Sequence, residues 1–140
     1  MQVKFFFLNT NLSLKRRKEL KFFIGFIFRN ERRTPGSLTY IFCSDEYLLK
    51  INQDFLKHDF YTDIITFDMS SSRDEIEGEI YISTERVKEN SKEHGFTFNR
   101  ELHRVIFHGA LHLCGYKDKS QKEKAQMRIM EDKYLDLYFK

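Results

Sequence analysis

The stretch from His108 to Asp118, H-G-A-L-H-L-C-G-Y-K-D, decides how the rest of this chain is read. In a helix, His108 and His112 are four positions apart at roughly 100° each, so they project from one face about a turn apart, as two imidazoles gripping one ion would. Gly115 stands where such a helix ends, because a residue without Cβ enters the left-handed conformation cheaply. Asp118, just beyond, is the first candidate for a third ligand arriving from a second backbone direction. The metalloprotease pattern does not fit, since it needs Glu directly after the first His and this chain has Gly109 there. Cys114, two helical positions from His112, is turned away by about 200° and reads as core.

Working outward, Asn99 is the expected cap of a helix from Arg100 to Cys114. Leu102, Val105, Ile106 and Leu113 bury one side of it, and Arg104, His108 and His112 form a stripe on another. Ser120 opens a last helix that packs through Ile129, Met130, Tyr134 and Leu137. Upstream, Gly78–Ile82 alternates as a strand. Ser83 or Thr84 then caps a charged helix ending at Gly95, with His94 in its last turn as a complement to the helix dipole. Asp63–Phe67 is another strand, and the polar stretch 70–77 between the two is expected to be a mobile loop. Nearer the start, Val3–Leu8 reads as a strand. Ser13–Asn30 reads as an amphipathic helix whose apolar later half suggests a buried central position. Thr34-Pro35-Gly36 breaks the chain, Leu38–Cys43 alternates as a strand, and Ser44 with Asp45 and Glu46 opens a helix running to about Lys57.

The order β-α-β-α-β-β-α-α-α predicts an α+β fold: a small four-stranded mixed sheet with about five helices, and a metal site at the end of the penultimate helix. A right-handed crossover makes the first two strands parallel, and the short third connection makes strands three and four antiparallel. Residues 1–140 have the length of a single domain that can bury a real core. A hydrophobic share of 41% with 32% charged residues is that of a globular protein, without repeat or linker. The longest apolar run, Phe22–Phe28, is far short of the ~20 residues of a membrane span, and no small-residue cleavage site follows the start. A cytoplasmic protein with no membrane partner is expected, and Cys43 and Cys114 read as reduced thiols. The net charge of +3 is unevenly spread: residues 11–35 carry eight Lys/Arg against two acids, and residues 36–116 carry eight against fourteen. The run Lys15–Lys21 reads either as the solvated face of a helix or as a phosphate-backbone footprint.

The motif H-G-A-L-H-L-C-G-Y, with N-Q-D-F-L-K-H-D-F-Y-T-D-I-I-T-F at 52–67 and G-E-I-Y-I-S at 78–83, resembles the YbeY family over almost the whole chain. These are ribosomal RNA maturation factors described as metal-dependent single-strand endoribonucleases. The resemblance implies one Zn²⁺ per chain, single-stranded small-subunit ribosomal RNA as substrate, a role in ribosome quality control, and contact with the ribosome or its proteins. Two positions depart from the family pattern. Asp118 stands where the family usually has its third His ligand, and carboxylate oxygen is an acceptable zinc ligand. Leu56 stands where the family usually has an Arg thought to engage substrate phosphate; Lys57 or Arg104 are the candidates to replace it, without the same planar fork at Lys57.

The catalytic general base is left unassigned. Asp59 and Asp63 read either as groups orienting the cleft or as turn and strand-start acids. RNA is expected to approach along the basic first helix. The rival to metal-assisted hydrolysis is a ribosome-associated assembly or adaptor protein with a closed structural metal, for which Tyr116 or His58 would supply a fourth ligand.

Overall fold

The computed structural model describes residues 1–72 and 74–140. The elements are β1 (Gln2–Phe7), α1 (Arg17–Asn30), β2 (Thr34–Cys43), α2 (Asp45–Leu56), β3 (Ile64–Asp68), β4 (Glu75–Ser83), α3 (Thr84–His94), α4 (Phe98–Leu113) and α5 (Gln121–Tyr138). The strands form one mixed sheet in the order β1-β2-β4-β3. β1 and β4 run parallel to β2, and β3 runs antiparallel to β4. The α+β reading, the four-stranded mixed sheet and the five helices agree with the expectation, as do the strand directions.

Register and alternation divide the sheet into two faces. Phe5, Tyr40, Ile80 and Thr66 stand in one cross-strand row, and Phe7, Phe42, Ile82 and Ile64 in the next. This inner face carries the main core, with Leu20, Ile24 and Phe28 of α1, Ile106, Phe107 and Leu111 of α4, and Met127 and Tyr134 of α5 packed on it. Cys43 and Ile65 point the other way and make a smaller cluster with Leu48 of α2. The inner row on β3 turns polar along the strand, from Ile64 to Thr66 to Asp68, and there the core gives way to a cleft.

α4 is the central helix, with eleven of its sixteen residues buried. Fully burying a Leu, Ile or Phe side chain contributes about 1.5–3 kcal/mol, so α4 is held firmly against the sheet. The close approach depends on two glycines. A Cβ at Gly109 would stand 2.8 Å from Ile80 Cδ1 and 3.1 Å from Ile64 Cδ1, and one at Gly78 would stand 2.9 Å from Leu113 Cδ1. The Tyr40 hydroxyl donates to the Ile106 carbonyl at 2.8 Å, tying the middle of α4 to the middle of β2.

The structure departs from the sequence reading in six places. On α5, Met130 and Tyr134 pack as expected but Ile129 and Leu137 are exposed, Met127 and Leu135 taking their places. α1 begins at Arg17 rather than Ser13, behind Arg16 in the left-handed region at φ 56°. α1 is also peripheral rather than central: it buries Leu20, Ile24 and Phe28 on one side but leaves Phe22 73% exposed. The cap of α4 is Thr97, whose side chain accepts from Arg100 N, and Asn99 lies inside the first turn. Thr34-Pro35-Gly36 belongs to β2, with a register shift between Pro35 and Ser37. Pairing with β1 begins only at Ser37, so Pro35 has a strand neighbour on one side alone, where proline is tolerated. β4 starts at Glu75, so the stretch read as a mobile loop is shorter than expected, and its position 73 lies outside the described residues.

Candidate metal centre

The last two turns of α4 bring His108 and His112 onto the side facing β3, with ring centroids 5.2 Å apart. The helix stops at Leu113. Cys114 caps it and Gly115 takes φ 106°, so the chain reverses and carries Asp118 back over the two imidazoles. Asp118 Oδ2 lies 3.1 Å from His108 Nε2, and Oδ1 lies 3.4 Å from His112 Nε2. One ligand atom from each of the three residues falls within 4.8 Å of the others.

This spacing suits a metal. Two ligands held about 2.0–2.1 Å from a tetrahedral ion stand about 3.3 Å apart. Both measured separations lie close to that edge, and two imidazole nitrogens with one carboxylate oxygen are a donor set that a borderline cation such as zinc accepts.

Behind the three residues stands a network that ties α4 to α5. His108 Nδ1 is 2.6 Å from Glu131 Oε2, so the ring donates there and turns the lone pair of Nε2 toward Asp118. Arg104, one turn earlier on α4, donates to Glu131 Oε1 at 2.9 Å and to Asp132 Oδ1 at 2.8 Å, and its Nε approaches Glu101 at 3.8 Å. Arg104 and Glu131 are 7% and 6% exposed. Burial pulls the His108 pKa down, but the hydrogen bond and charge of Glu131, with Asp118 and Asp63, raise it overall. A proton and a cation therefore compete for this ring. Burial raises the pKa of Asp63, with Glu131 adding to the rise and His108 opposing it; burial likewise raises Glu101.

The three residues open on a cleft of about 470 Å³ lined by Asp63 and Thr66 of the β3 edge, Asn90 and His94 of α3, and Arg128 of α5, among others. His94 does end α3, as expected, and its side chain also reaches the cleft wall. Arg104 lines the cleft, but its guanidinium is engaged with carboxylates. Lys57 is exposed in the left-handed cap of α2 and is not among the lining residues. Asp63 reaches the cleft and accepts from Asn90 at 3.4 Å, whereas Asp59 accepts from Gln53 outside it. Neither residue considered as a fourth ligand comes near: the Tyr116 hydroxyl donates to Glu31 at 2.7 Å, and His58 stacks on Phe60.

Sequence reasoning missed Glu131 and Arg128. A signal for Glu131 existed: it lies four residues after Met127 and one after Met130, on the packing side of α5, where an acid needs a partner.

Residues 10–138 match the family described as Endoribonuclease YbeY. The Endoribonuclease YbeY of Cytophaga hutchinsonii is 52% identical over 133 residues, covering 95% of this chain and 93% of that protein. That of Flavobacterium psychrophilum is 46% identical, covering 93% and 94%. The solution structure of TM1509 from Thermotoga maritima superposes with a TM-score of 0.62 at 28% identity, covering 96% of this chain and 89% of that one.

Proposed function

This chain belongs to the YbeY family, and on that premise we propose that it is a metal-dependent endoribonuclease acting on single-stranded ribosomal RNA during ribosome maturation and quality control, in the cytoplasm. The observation that carries the reading is the convergence of His108, His112 and Asp118 at separations of 3.1 and 3.4 Å. The donor set favours Zn²⁺, one per chain. A bound ion of this kind acidifies water and polarises a phosphodiester oxygen.

The chain's own residues prepare that chemistry. Glu131 fixes the His108 tautomer so that Nε2 presents a lone pair, and Arg104 holds Glu131 in place while offsetting its charge. Asp118 brings a negative charge where the family usually has a neutral imidazole, so positive charge at the centre is lower than with three histidines. Three convergent protein ligands leave a coordination position for water or substrate, which favours hydrolysis over a closed structural site. Of the two cations proposed to replace the family Arg at Leu56, Arg104 acts from behind Glu131. Lys57 stands exposed outside the cleft, where it would meet phosphates flanking the cut.

The test is cleavage of single-stranded ribosomal RNA fragments by purified protein, with and without chelator, beside His112→Ala prepared identically. Both chelation and the substitution are expected to lower the rate by on the order of 100-fold or more, with zinc restoring only the chelated wild type. Equal cleavage in all samples would exclude this site as the source of the activity.

A further inference from the structure

Apart from the ion proposed for it, the cleft offers little positive charge to a polyanion. Asp63, Asp68, Glu101, Asp118 and Glu131 line it, against Arg104, already paired, and Arg128. The strongest run of positive charge lies elsewhere. Lys15, Arg16, Arg17, Lys18 and Lys21 are all exposed at the start of α1. Arg16 pairs with Glu19 at 3.1 Å; among the described residues, no carboxylate lies within 4 Å of the side-chain nitrogens of the other four. Two of these cations are seated on rings of the first strand, Arg17 at 4.8 Å from the Phe7 centroid and Lys21 at 5.4 Å from that of Phe5.

This face lies far from the metal centre in two directions. Phe5 and Phe7 belong to β1, at the opposite edge of the sheet from β3, three strand spacings or about 14 Å across. Lys15 and Arg16 line a groove with Phe98, Asn99 and His103 in the first turns of α4, whereas His112 stands in its last turn, about 20 Å along the helix from Phe98 and about 14 Å from His103. No residue of α1 is among those lining the cleft, so RNA approaching along the first helix would bridge from that face to the metal centre.

We infer that the start of α1, with the β1 edge beneath it, is a second RNA-binding surface that holds the phosphate backbone without reading sequence, remote from the cut. The inference rests on the endoribonuclease reading for its choice of polyanion. Exposed cations of which, among the described residues, only Arg16 has a carboxylate partner, with Arg17 and Lys21 one helical turn apart, suit phosphates, and they add positive charge that the cleft's own side chains lack.

The experiment uses metal-loaded full chain and a fluorescent single-stranded RNA of about 20 nucleotides, long enough to reach both regions at about 3.4 Å per residue. Anisotropy is followed across salt concentrations, and RNA integrity is checked after each reading. Wild type is compared with the combined variant Lys15→Gln, Arg17→Gln, Lys18→Gln and Lys21→Gln, and with Lys15→Arg, Lys18→Arg and Lys21→Arg combined. The Gln variant is expected to bind about 10- to 100-fold more weakly at low salt, with the log–log salt slope reduced by about 2–3, while the Arg variant keeps both wild-type values. Unchanged affinity and slope in a Gln variant of native circular dichroism would overturn the proposal and leave the surface to an acidic protein partner. Loss in the Arg variant as well would also overturn it, since charge alone would not be what binds. Cleavage is scored separately, so a protein that cleaves but shows no loss of binding refutes the surface alone, and one that binds through it but never cleaves refutes the endoribonuclease reading alone.

Discussion

The cleft end of α4 and the start of α1 are both rich in charge, yet they use it in opposite ways. At the cleft, Arg104 and Glu131 are almost completely buried and bonded across two helices, at 2.9 Å to each other and 2.6 Å onward to His108. At the start of α1, Lys15, Lys18 and their neighbours are exposed and mostly unpaired. Removing one member of the buried set strands the others in a low dielectric, whereas each exposed cation contributes little to folding and acts at long range. The same residue types therefore position a site in one region and attract a partner in the other, and burial decides which.

The sharpest way to break this contrast is Arg104→Ala. Leaving Glu131 and Glu101 without their buried cation is expected to lower stability by about 3–5 kcal/mol in denaturant unfolding of the metal-free protein. A loss below about 1 kcal/mol would mean that the network is not organised around Arg104. Gly109→Ala comes next. The added methyl meets Ile80 at 2.8 Å and Ile64 at 3.1 Å, so those side chains must repack or α4 must lift from the sheet beside His108. Overpacking of this kind is expected to cost about 1–3 kcal/mol, and it should weaken metal binding as well because both imidazoles ride on that helix.

How much of this was legible in the sequence follows from the range of the interactions. The four-position spacing of His108 and His112, the glycine stop and the following Asp118 are local, and the structure places all three residues together where the periodicity put them. The strand read at 63–67, the alternation in 78–82, and the caps at Ser44, at Ser83 or Thr84, and at Ser120 were equally readable because a few residues of local chain determine them. Glu131 was legible only as an acid on the packing side of α5; its partner lies 23 residues away on another helix, so the local pattern could not say what it meets. The central helix was misjudged for the same reason. Phe22 and Phe26 make α1 look apolar all round, and only the packing of α4 between sheet and helices reveals which helix is enclosed.

Smaller effects sharpen the comparison at its margin. The Asp63 pKa is raised above its ordinary 3.8, chiefly by burial, so the neutral form favours the fold. Its contribution is fully present below the ordinary value and is lost as pH rises from there through the raised one. Asp63→Asn is therefore expected to gain stability relative to wild type between acid and neutral pH in metal-free protein, as read by thermal unfolding at each pH. A constant difference across that range would show that the carboxylate is not penalised by its surroundings. Least of all, Lys18→Ala should change stability by no more than about 0.5 kcal/mol. A larger loss would place this cation with the buried set rather than the exposed one.

The central claim is that one cation is shared by His108, His112 and Asp118, and equilibrium titration of the metal-free protein with zinc tests it most directly. Wild type is expected to take up one ion per chain, and Asp118→Ala and His112→Ala are each expected to bind at least about 100-fold more weakly, with native circular dichroism retained. Full-affinity binding of one ion by Asp118→Ala would contradict the account.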